Sequence, residues 1–359
     1  MHFPWCRKVC PYCDFAVEVG EVPHEAYLAA IVRELDARAG GFAGALASIY
    51  FGGGTPSLWR PDCVARAIAA VRARFGAPRE VTLEANPVDC TAAALAAWHA
   101  AGVNRVSIGV QSLAADELVV LGRDHRFGDG PAALARVLAH GGFTASCDFI
   151  LGTPVGRAPA APGWIEPVCA SAVDHLSVYE LTIEERTAFG ARVRAGRLVP
   201  LGEDALYELY VATHHALCAR GFEHYEISSY ARPGGRAVHN SLYWQGAPYL
   251  GLGASAASLA VFGDGSAERR TNPRRAADYL ADPGAPAEVT AVAPAEMAAD
   301  RAWLGLRTCD GVPEAAVSPE IARWLVDEAL AEIRSGRISP TLRGFLMADR
   351  IAARIVASR

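Results

Sequence analysis

Cys6, Cys10 and Cys13 stand in the arrangement C-x3-C-x2-C, within the run Cys6-Arg-Lys-Val-Cys10-Pro-Tyr12-Cys13-Asp-Phe15. The spacing makes the chain close a small loop around three thiolates. Three thiolates can hold three irons of a 4Fe–4S cluster and leave the fourth iron with an open position, as catalytic metal centres do. Zinc competes for the same residue type, but zinc loops usually come as paired C-x2-C units and no second pair follows. A redox dithiol at Cys10-Pro-Tyr-Cys13 competes too, and would leave Cys6 without a role. The spacing favours the iron–sulfur reading over both.

The rest of the chain alternates β-type and helical patterns. Strands are predicted at Ser48–Gly53, Val81–Ala85, Arg105–Val110, Ser146–Leu151 and Leu176–Leu181. Ala-rich runs with helical spacing lie around and between them, at Glu25–Ala39, Asp62–Arg74, Ala92–Ala101, Pro131–Ala139 and Ile165–Ser171. Strand–helix alternation implies a parallel sheet covered by helices, open or closed into a barrel. In such a fold the chemistry belongs at the carboxyl ends of the strands. Gly52–Pro56, Glu84, Gln111 and Asp148 all fall at or near those ends. Beyond about residue 185 the alternation stops. Gly251–Leu259 reads as an apolar strand or buried turn. The Ala-, Pro- and Asp-rich stretch 263–294 reads as a linker, and 295–359 as a helical domain broken at Arg337–Pro340.

A chain of 359 residues can bury a large core and hold more than one domain. Its net charge of −5, without long runs of one sign, gives no nucleic-acid surface. Nine cysteines, an odd number with no signal peptide before them, argue against a disulfide framework. No apolar run reaches the length of a membrane span. Cys63, Cys90, Cys147, Cys169, Cys218 and Cys309 lack close-spaced partners and read as buried small apolar residues.

The cysteine spacing resembles that of radical S-adenosylmethionine (SAM) enzymes. Further motifs follow in order: Phe51-Gly-Gly-Gly-Thr-Pro56, Thr82-Leu-Glu-Ala-Asn-Pro87, Val106-Ser-Ile-Gly-Val-Gln-Ser-Leu113, Leu121-Gly-Arg-Asp-His125, Cys147-Asp-Phe-Ile-Leu-Gly152, His175-Leu-Ser-Val-Tyr-Glu-Leu181, His224-Tyr-Glu-Ile-Ser228 and His239-Asn-Ser-Leu-Tyr-Trp244. The ordered set covers nearly the whole chain. It resembles the oxygen-independent coproporphyrinogen III oxidase-like family, closest to its heme-chaperone branch. The resemblance implies an α/β fold. A partial (β/α)6 barrel would span 1–185 and a barrel-associated extension 186–262. A small winged-helix-like domain, carrying no implication of DNA binding, would follow the linker. It implies that Cys6, Cys10 and Cys13 ligate a 4Fe–4S cluster and that SAM chelates the fourth iron. Tyr12 would lie beside the adenine, and Gly53, Gly54 and Thr55 at the methionine amino end. Glu84 and Gln111 would bond the ribose and amino acid part of SAM. Arg123 would pair with the SAM carboxylate, which suits a guanidinium, and Asp148 would accept from ribose hydroxyls. Taken alone, the glycines would mark only a tight turn, and Glu84 or Gln111 would be unremarkable.

The true oxidase carries a further cysteine two positions after its third ligand, where this chain has Phe15. The chaperone branch has Cys-Asp-Phe there and a His-Asn-x-x-Tyr-Trp motif downstream, and both occur here. His239, Tyr243 and Trp244 would then be the heme contacts, since a His beside aromatics can ligate iron and pack on a porphyrin. Without the motif, His239 and Trp244 would read as structural. The expectation is a cytosolic heme chaperone that hands heme to a respiratory acceptor protein. It would meet membranes only through that acceptor and bind no nucleic acid, and a homodimer is compatible with it. The alternatives are the oxidase itself and a radical SAM enzyme acting on another small molecule. Three departures stand out. The family's Tyr six residues before the first cysteine would fall just before Met1, Gly152-Thr153-Pro154 replaces Gly-Leu-Pro, and Ala257 stands where the family has His.

Overall fold

The computed structural model describes residues 1–155 and 162–358. Most of the Ala/Pro-rich stretch after Pro154 lies outside them. The elements run in order as β1 (His2–Phe3), α1 (His24–Arg38), β2 (Ser48–Gly53), α2 (Pro61–Phe75), β3 (Glu80–Ala85), α3 (Ala92–Ala101), β4 (Arg105–Gln111), α4 (Ala115–Val120), α5 (Asp129–His140), β5 (Thr144–Leu151), α6 (Ile165–Cys169) and β6 (His175–Glu180). Then come α7 (Ala188–Arg194), α8 (Glu203–Cys218), β7 (Glu223–Glu226), β8 (Ser229–Ala231) and α9 (Val238–Trp244). The sheet order is β1-β2-β3-β4-β5-β6-β8-β7, with β1 to β6 parallel and β8 and β7 antiparallel. Six parallel strands in sequence order, wound in one direction with helices between them, are the expected (β/α)6 arrangement.

The strands have an unusual distribution of polarity. Side chains alternate faces along a strand. One set is apolar: Ile49, Phe51, Val81, Leu83, Val106, Ile108, Ala145, Cys147, Phe149, Leu176 and Val178. It packs with α1, α2, α3 and α5 in the main core. Each large side chain buried there stabilises by about 1.5–3 kcal/mol. The other set is polar and its members bond one another across the inner face: Tyr50 to Glu84, Ser107 to Asp148, Ser146 to His175. The sheet is therefore held by an outer apolar layer and reserves its inner face for polar groups.

The stretch expected as a linker is structured. Residues 263–294 contain β10 (Ala267–Thr271), α10 (Ala276–Ala281) and β11 (Glu288–Val292), preceded by β9 (Ala257–Val261). The order β11-β10-β9 makes an antiparallel sheet. The composition concealed this because the stabilising contacts are not within the stretch. Tyr279 of α10 is fully buried against Tyr27 of α1. The last segment carries a small sheet beside the expected helices. It holds α11 (Pro294–Gly305), β12 (Val312–Pro313), α12 (Pro319–Asp327), β13 (Ala331–Arg334), β14 (Arg337–Pro340), α13 (Leu342–Leu346) and α14 (Ala348–Ala357), with a three-stranded sheet ordered β12-β14-β13. The expected break at Arg337–Pro340 is β14. A separate core of Leu306, Ile321, Leu325, Leu330, Ile338 and Ile351 fills this unit. Cys63, Cys90 and Cys147 are buried as expected, whereas Cys218 is exposed and Cys169 and Cys309 are half-buried. Cys218 is the last residue of α8, and its Sγ lies 3.8 Å from the His214 ring.

One buried carboxylate joins the barrel to the extension. Glu34 of α1 is inaccessible to solvent. Its Oε1 accepts from Arg38 Nη1 (2.6 Å) and Asn272 Nδ2 (2.7 Å). Its Oε2 accepts from Gly253 N (2.9 Å) and the Tyr279 hydroxyl (2.8 Å). Removing one partner of a buried charged network leaves the rest unpaired and costs about 3–5 kcal/mol. Glu34→Ala should show a loss of that size in urea unfolding. A loss below about 1 kcal/mol, the range of an ordinary surface change, would mean that other contacts hold α1 to the extension.

Candidate functional site

The cysteine loop leaves the carboxyl end of β1 and is fastened along its length. Cys6 N donates to Glu18 O (2.9 Å), Cys13 N to Cys10 O (3.0 Å) and Phe189 N of α7 to Pro11 O (2.8 Å). Arg7 pairs with Asp89, and Arg186 with Asp14 at 2.7 Å. All three cysteines are free and half-buried. Burial pushes the Cys6 and Cys13 thiols up, so a bound metal must supply the charge that holds them as thiolates. Thr55 Oγ1 donates to Cys6 Sγ (3.3 Å), which favours its thiolate, and Arg123 Nη1 lies 3.7 Å from Cys10 Sγ. Among the described residues Glu25, Asp62 and Cys63 bring their ligand atoms within 4.8 Å of one another, but Arg60 and Arg66 already neutralise Glu25.

Around the loop the carboxyl ends of β2 to β5 bring the expected SAM contacts together. The Gly52–Gly54 turn is built for close approach. A Cβ on Gly53, whose φ is +118°, would lie 2.4 Å from the His2 ring, and one on Gly54 would lie 2.8 Å from Trp5 O. The amides of Gly54 and Thr55 are spent on Phe3 O and Trp5 O (2.7 and 2.9 Å). What this turn can offer an amino group is therefore carbonyl oxygen. Glu84 Oε1 accepts from the Tyr50 hydroxyl (2.5 Å) and Oε2 from Gly53 N (3.2 Å). Burial raises its carboxyl to about 7. Gln111 has φ +66°, at a register shift of the β4–β5 ladder. A non-glycine residue held there is strained, and such strain concentrates at ligand sites. Arg123 Nη2 donates to Gly109 O (3.1 Å), while Nε is buried without a partner. That leaves a buried cation with a donor to spare, as an anionic ligand requires. Asp148 accepts twice from Ser107 Oγ (3.0 and 3.1 Å), and burial raises its carboxyl. Tyr12 lies at the edge, its ring centroid 6.3 Å from that of Phe189. The donor set, the glycine turn and the unpaired guanidinium fit a small zwitterion with hydroxyl groups beside three thiolates.

His239 and Tyr243 are at the opposite end of the sheet. His239 sits in the first turn of α9, whose amino end is fixed by Glu80, the first residue of β3. Val238 N and His239 N each donate to that carboxylate (2.9 Å). His239 Nδ1 lies 2.9 Å from Ser48 Oγ, and its ring stacks on Tyr50 at 4.7 Å and 19°. Tyr243 meets its edge at 4.9 Å. Burial lowers His239 to about 3, so the imidazole is neutral at ordinary pH and competent as a ligand. His239, Tyr243, Tyr249, Leu242 and Phe42 line a largely apolar cavity of about 280 Å³. Trp244 does not line it. Two further histidines of the ordered motifs, His125 and His224, are engaged elsewhere. His125 Nε2 is 3.1 Å from Val110 O. The His224 ring stacks on Tyr230 at 4.3 Å, and its Nδ1 is 3.1 Å from His214 Nδ1. Sequence reasoning missed Ser48, Tyr50 and Glu80. The available signal was the alternation of polar residues at 48, 50, 80, 82 and 84.

Residues 1–156 match the family model of the radical SAM superfamily. The chain is 38% identical over 287 residues to the heme chaperone HemW of Escherichia coli, covering 78% of this chain and 74% of that one. It is 33% identical over 362 residues to the heme chaperone HemW of Mycobacterium tuberculosis, covering 98% and 92%. A mouse mitochondrial protein, radical S-adenosyl methionine domain-containing protein 1, is 40% identical over 266 residues, covering 71% of this chain and 59% of that one. Among solved structures, coproporphyrinogen III oxidase (HemN) from Escherichia coli superposes with a TM-score of 0.81. The match covers 100% of this chain and 89% of that one at 20% identity, so the likeness is of fold.

Three outcomes follow from this geometry. Anaerobic reconstitution should load about four irons per chain, and Cys6→Ser, Cys10→Ser or Cys13→Ser should remove the cluster absorption. Asp148→Asn should weaken SAM binding in calorimetry with iron content unchanged. Full iron loading in the triple Ser variant would refute the cluster site, and unchanged SAM affinity in Asp148→Asn the pocket. The third outcome concerns pH. The folded-state value of Glu84 lies above its ordinary 4.5, at about 7. The stability it contributes is therefore complete below pH 4.5 and is lost as pH rises through 7, by about 3 kcal/mol. Glu84→Gln should gain that much relative to the wild type between pH 4.5 and 8 in denaturant titrations without ligand. A constant difference between the two proteins would refute the raised value.

Proposed function

The chain belongs to the HemW family of the radical SAM superfamily, and on that premise we propose that it is a heme chaperone which takes up heme at His239 and delivers it to an acceptor protein. Its cofactors are a 4Fe–4S cluster, carried by Cys6, Cys10 and Cys13, and SAM, carried by Glu84, Gln111, Arg123 and Asp148. When bound, the pair supplies a reducible iron site with an exchangeable position at the carboxyl ends of the strands. The chain's own residues hold the loop, shield the half-buried thiols in part and present the carboxylates.

The observation that carries the heme reading is the state of His239. One ring nitrogen is engaged by Ser48, the ring is clamped on Tyr50 and neutral, and an apolar cavity lies beside it. Ligand histidines have their second nitrogen fixed in this way. The cavity is at the small end of the range for ligand sites, roughly 300–1,000 Å³. It suits one edge of a porphyrin, with the remainder standing out toward an acceptor. Phe15, at the position of the oxidase's further cysteine, is 70% exposed beside the cluster loop. The acceptor would be a respiratory protein and the setting the cytoplasm. No helix among the described residues is long and apolar enough to cross a membrane, so contact with a membrane would come through the acceptor. A homodimer is compatible with this reading.

The purified protein should bind about one heme per chain, and His239→Ala should shift the Soret band and weaken binding about tenfold or more, the effect of losing a first ligand or its support. With SAM and a competent reductant it should fail to convert coproporphyrinogen III. Turnover above about one per second, an ordinary enzymatic rate, would refute the chaperone reading. Heme binding unaltered in His239→Ala would refute this site.

A further inference from the structure

One side chain touches both sites. The Tyr50 hydroxyl donates to Glu84 Oε1 at 2.5 Å, and the same ring stacks on His239. Gly52 makes this contact sterically available, since a Cβ there would lie 2.7 Å from Tyr50 Cε1 and 3.0 Å from Glu84 Oε1. Thr82 is directly across the β2–β3 ladder from Tyr50, and its hydroxyl is buried without a partner. Tyr50 therefore has two acceptors within its neighbourhood, one in use and one idle.

We propose that Tyr50 is a positioning residue that couples the SAM pocket to His239. A ligand hydroxyl or amino group that bonds Glu84 Oε1 competes with the tyrosine for that acceptor. A buried hydroxyl deprived of its acceptor is unstable, so Tyr50 turns toward the idle Thr82 oxygen. The ring then leaves its parallel position on His239 and changes the mouth of the cavity. Two sites and two states of one side chain are what a linkage requires, and the effect is reciprocal: whatever binds at His239 changes SAM affinity by the same factor. The proposal rests on the functional reading above for the identity of the two ligands. The contact geometry stands without heme.

The test uses the cluster-loaded full chain with SAM as the probe and no heme. With ¹⁵N-labelled histidine, the His239 ring resonances, assigned by their loss in His239→Gln, should move when SAM binds. In Tyr50→Phe, which keeps the ring and loses the hydroxyl, SAM should bind at least as tightly while the His239 resonances stay in place. Gly52→Ala, which forces ring and carboxylate apart but keeps the hydroxyl, should also uncouple them, and serves if Tyr50→Phe does not fold. With heme added, SAM should change heme affinity about fivefold or more in the wild type and by a factor near one in Tyr50→Phe. A His239 ring insensitive to SAM in the wild type overturns the proposal, and so does an equal shift in wild type and Tyr50→Phe. Absence of heme binding with the SAM-dependent ring shift intact would remove the heme reading and leave the coupling standing.

Discussion

Two carboxylates on one strand organise this protein. Glu80 and Glu84 are the first and fifth residues of β3, on the same face and roughly 13 Å apart along the strand. Glu80 captures the two amides that begin α9 and so fixes where His239 stands. Glu84 closes the Gly52–Gly54 turn through Gly53 N and faces the cysteine loop. Glu80 is buried and Glu84 half-buried, and each is tolerable there because backbone or hydroxyl donors meet it. A sheet with an apolar inner face could hold neither, and the two sites would have no common support.

The two ends of the sheet then take different work. Barrels of this type place their chemistry at the carboxyl ends of the strands, and the opposite face commonly serves stability alone. Here the cysteine loop, the glycine turn, Arg123 and Asp148 follow that rule. His239 does not, because α9 returns to the amino ends of β2 and β3 after the antiparallel pair β7 and β8. A ligand there is separated from the cluster by the polar interior of the sheet, Tyr50 included. That separation suits a protein in which heme is cargo while cluster and SAM are resident. It fits poorly with an oxidase, whose substrate must meet the SAM-derived radical at the carboxyl ends.

The pattern of residues exposed the first half of this arrangement and concealed the second. The parallel strands were legible because their outward positions, such as Val81, Leu83, Val106 and Ile108, are apolar with period two. The residues proposed to hold the cluster and SAM stood out as a set because glycines, cysteines and charged groups fall at strand ends in a recognisable order. The link between sites was not, because Tyr50 and Glu80 look ordinary on any strand and acquire meaning only from cross-strand register and from α9, some 150 residues later. The 263–294 stretch was misjudged for a related reason. Its order comes from Tyr279 and Asn272 bonding to Glu34, a contact across some 240 residues that local composition cannot display. Trp244 followed the motif into the expected heme contacts, but it is five positions after His239 on a helix, and does not share the face that His239 and Tyr243 form at i and i+4.

The central claim is spatial: cargo heme at the amino ends of the strands, the cluster at the carboxyl ends, and Tyr50 between them. Crystals of the cluster-loaded protein with heme, measured at the iron absorption edge, test it in one map. The account predicts two separate iron sites, one enclosed by Cys6, Cys10 and Cys13 and one beside the imidazole of His239, on opposite ends of β3. A heme iron found on the cluster side of Glu84, or bound away from His239 altogether, would contradict it.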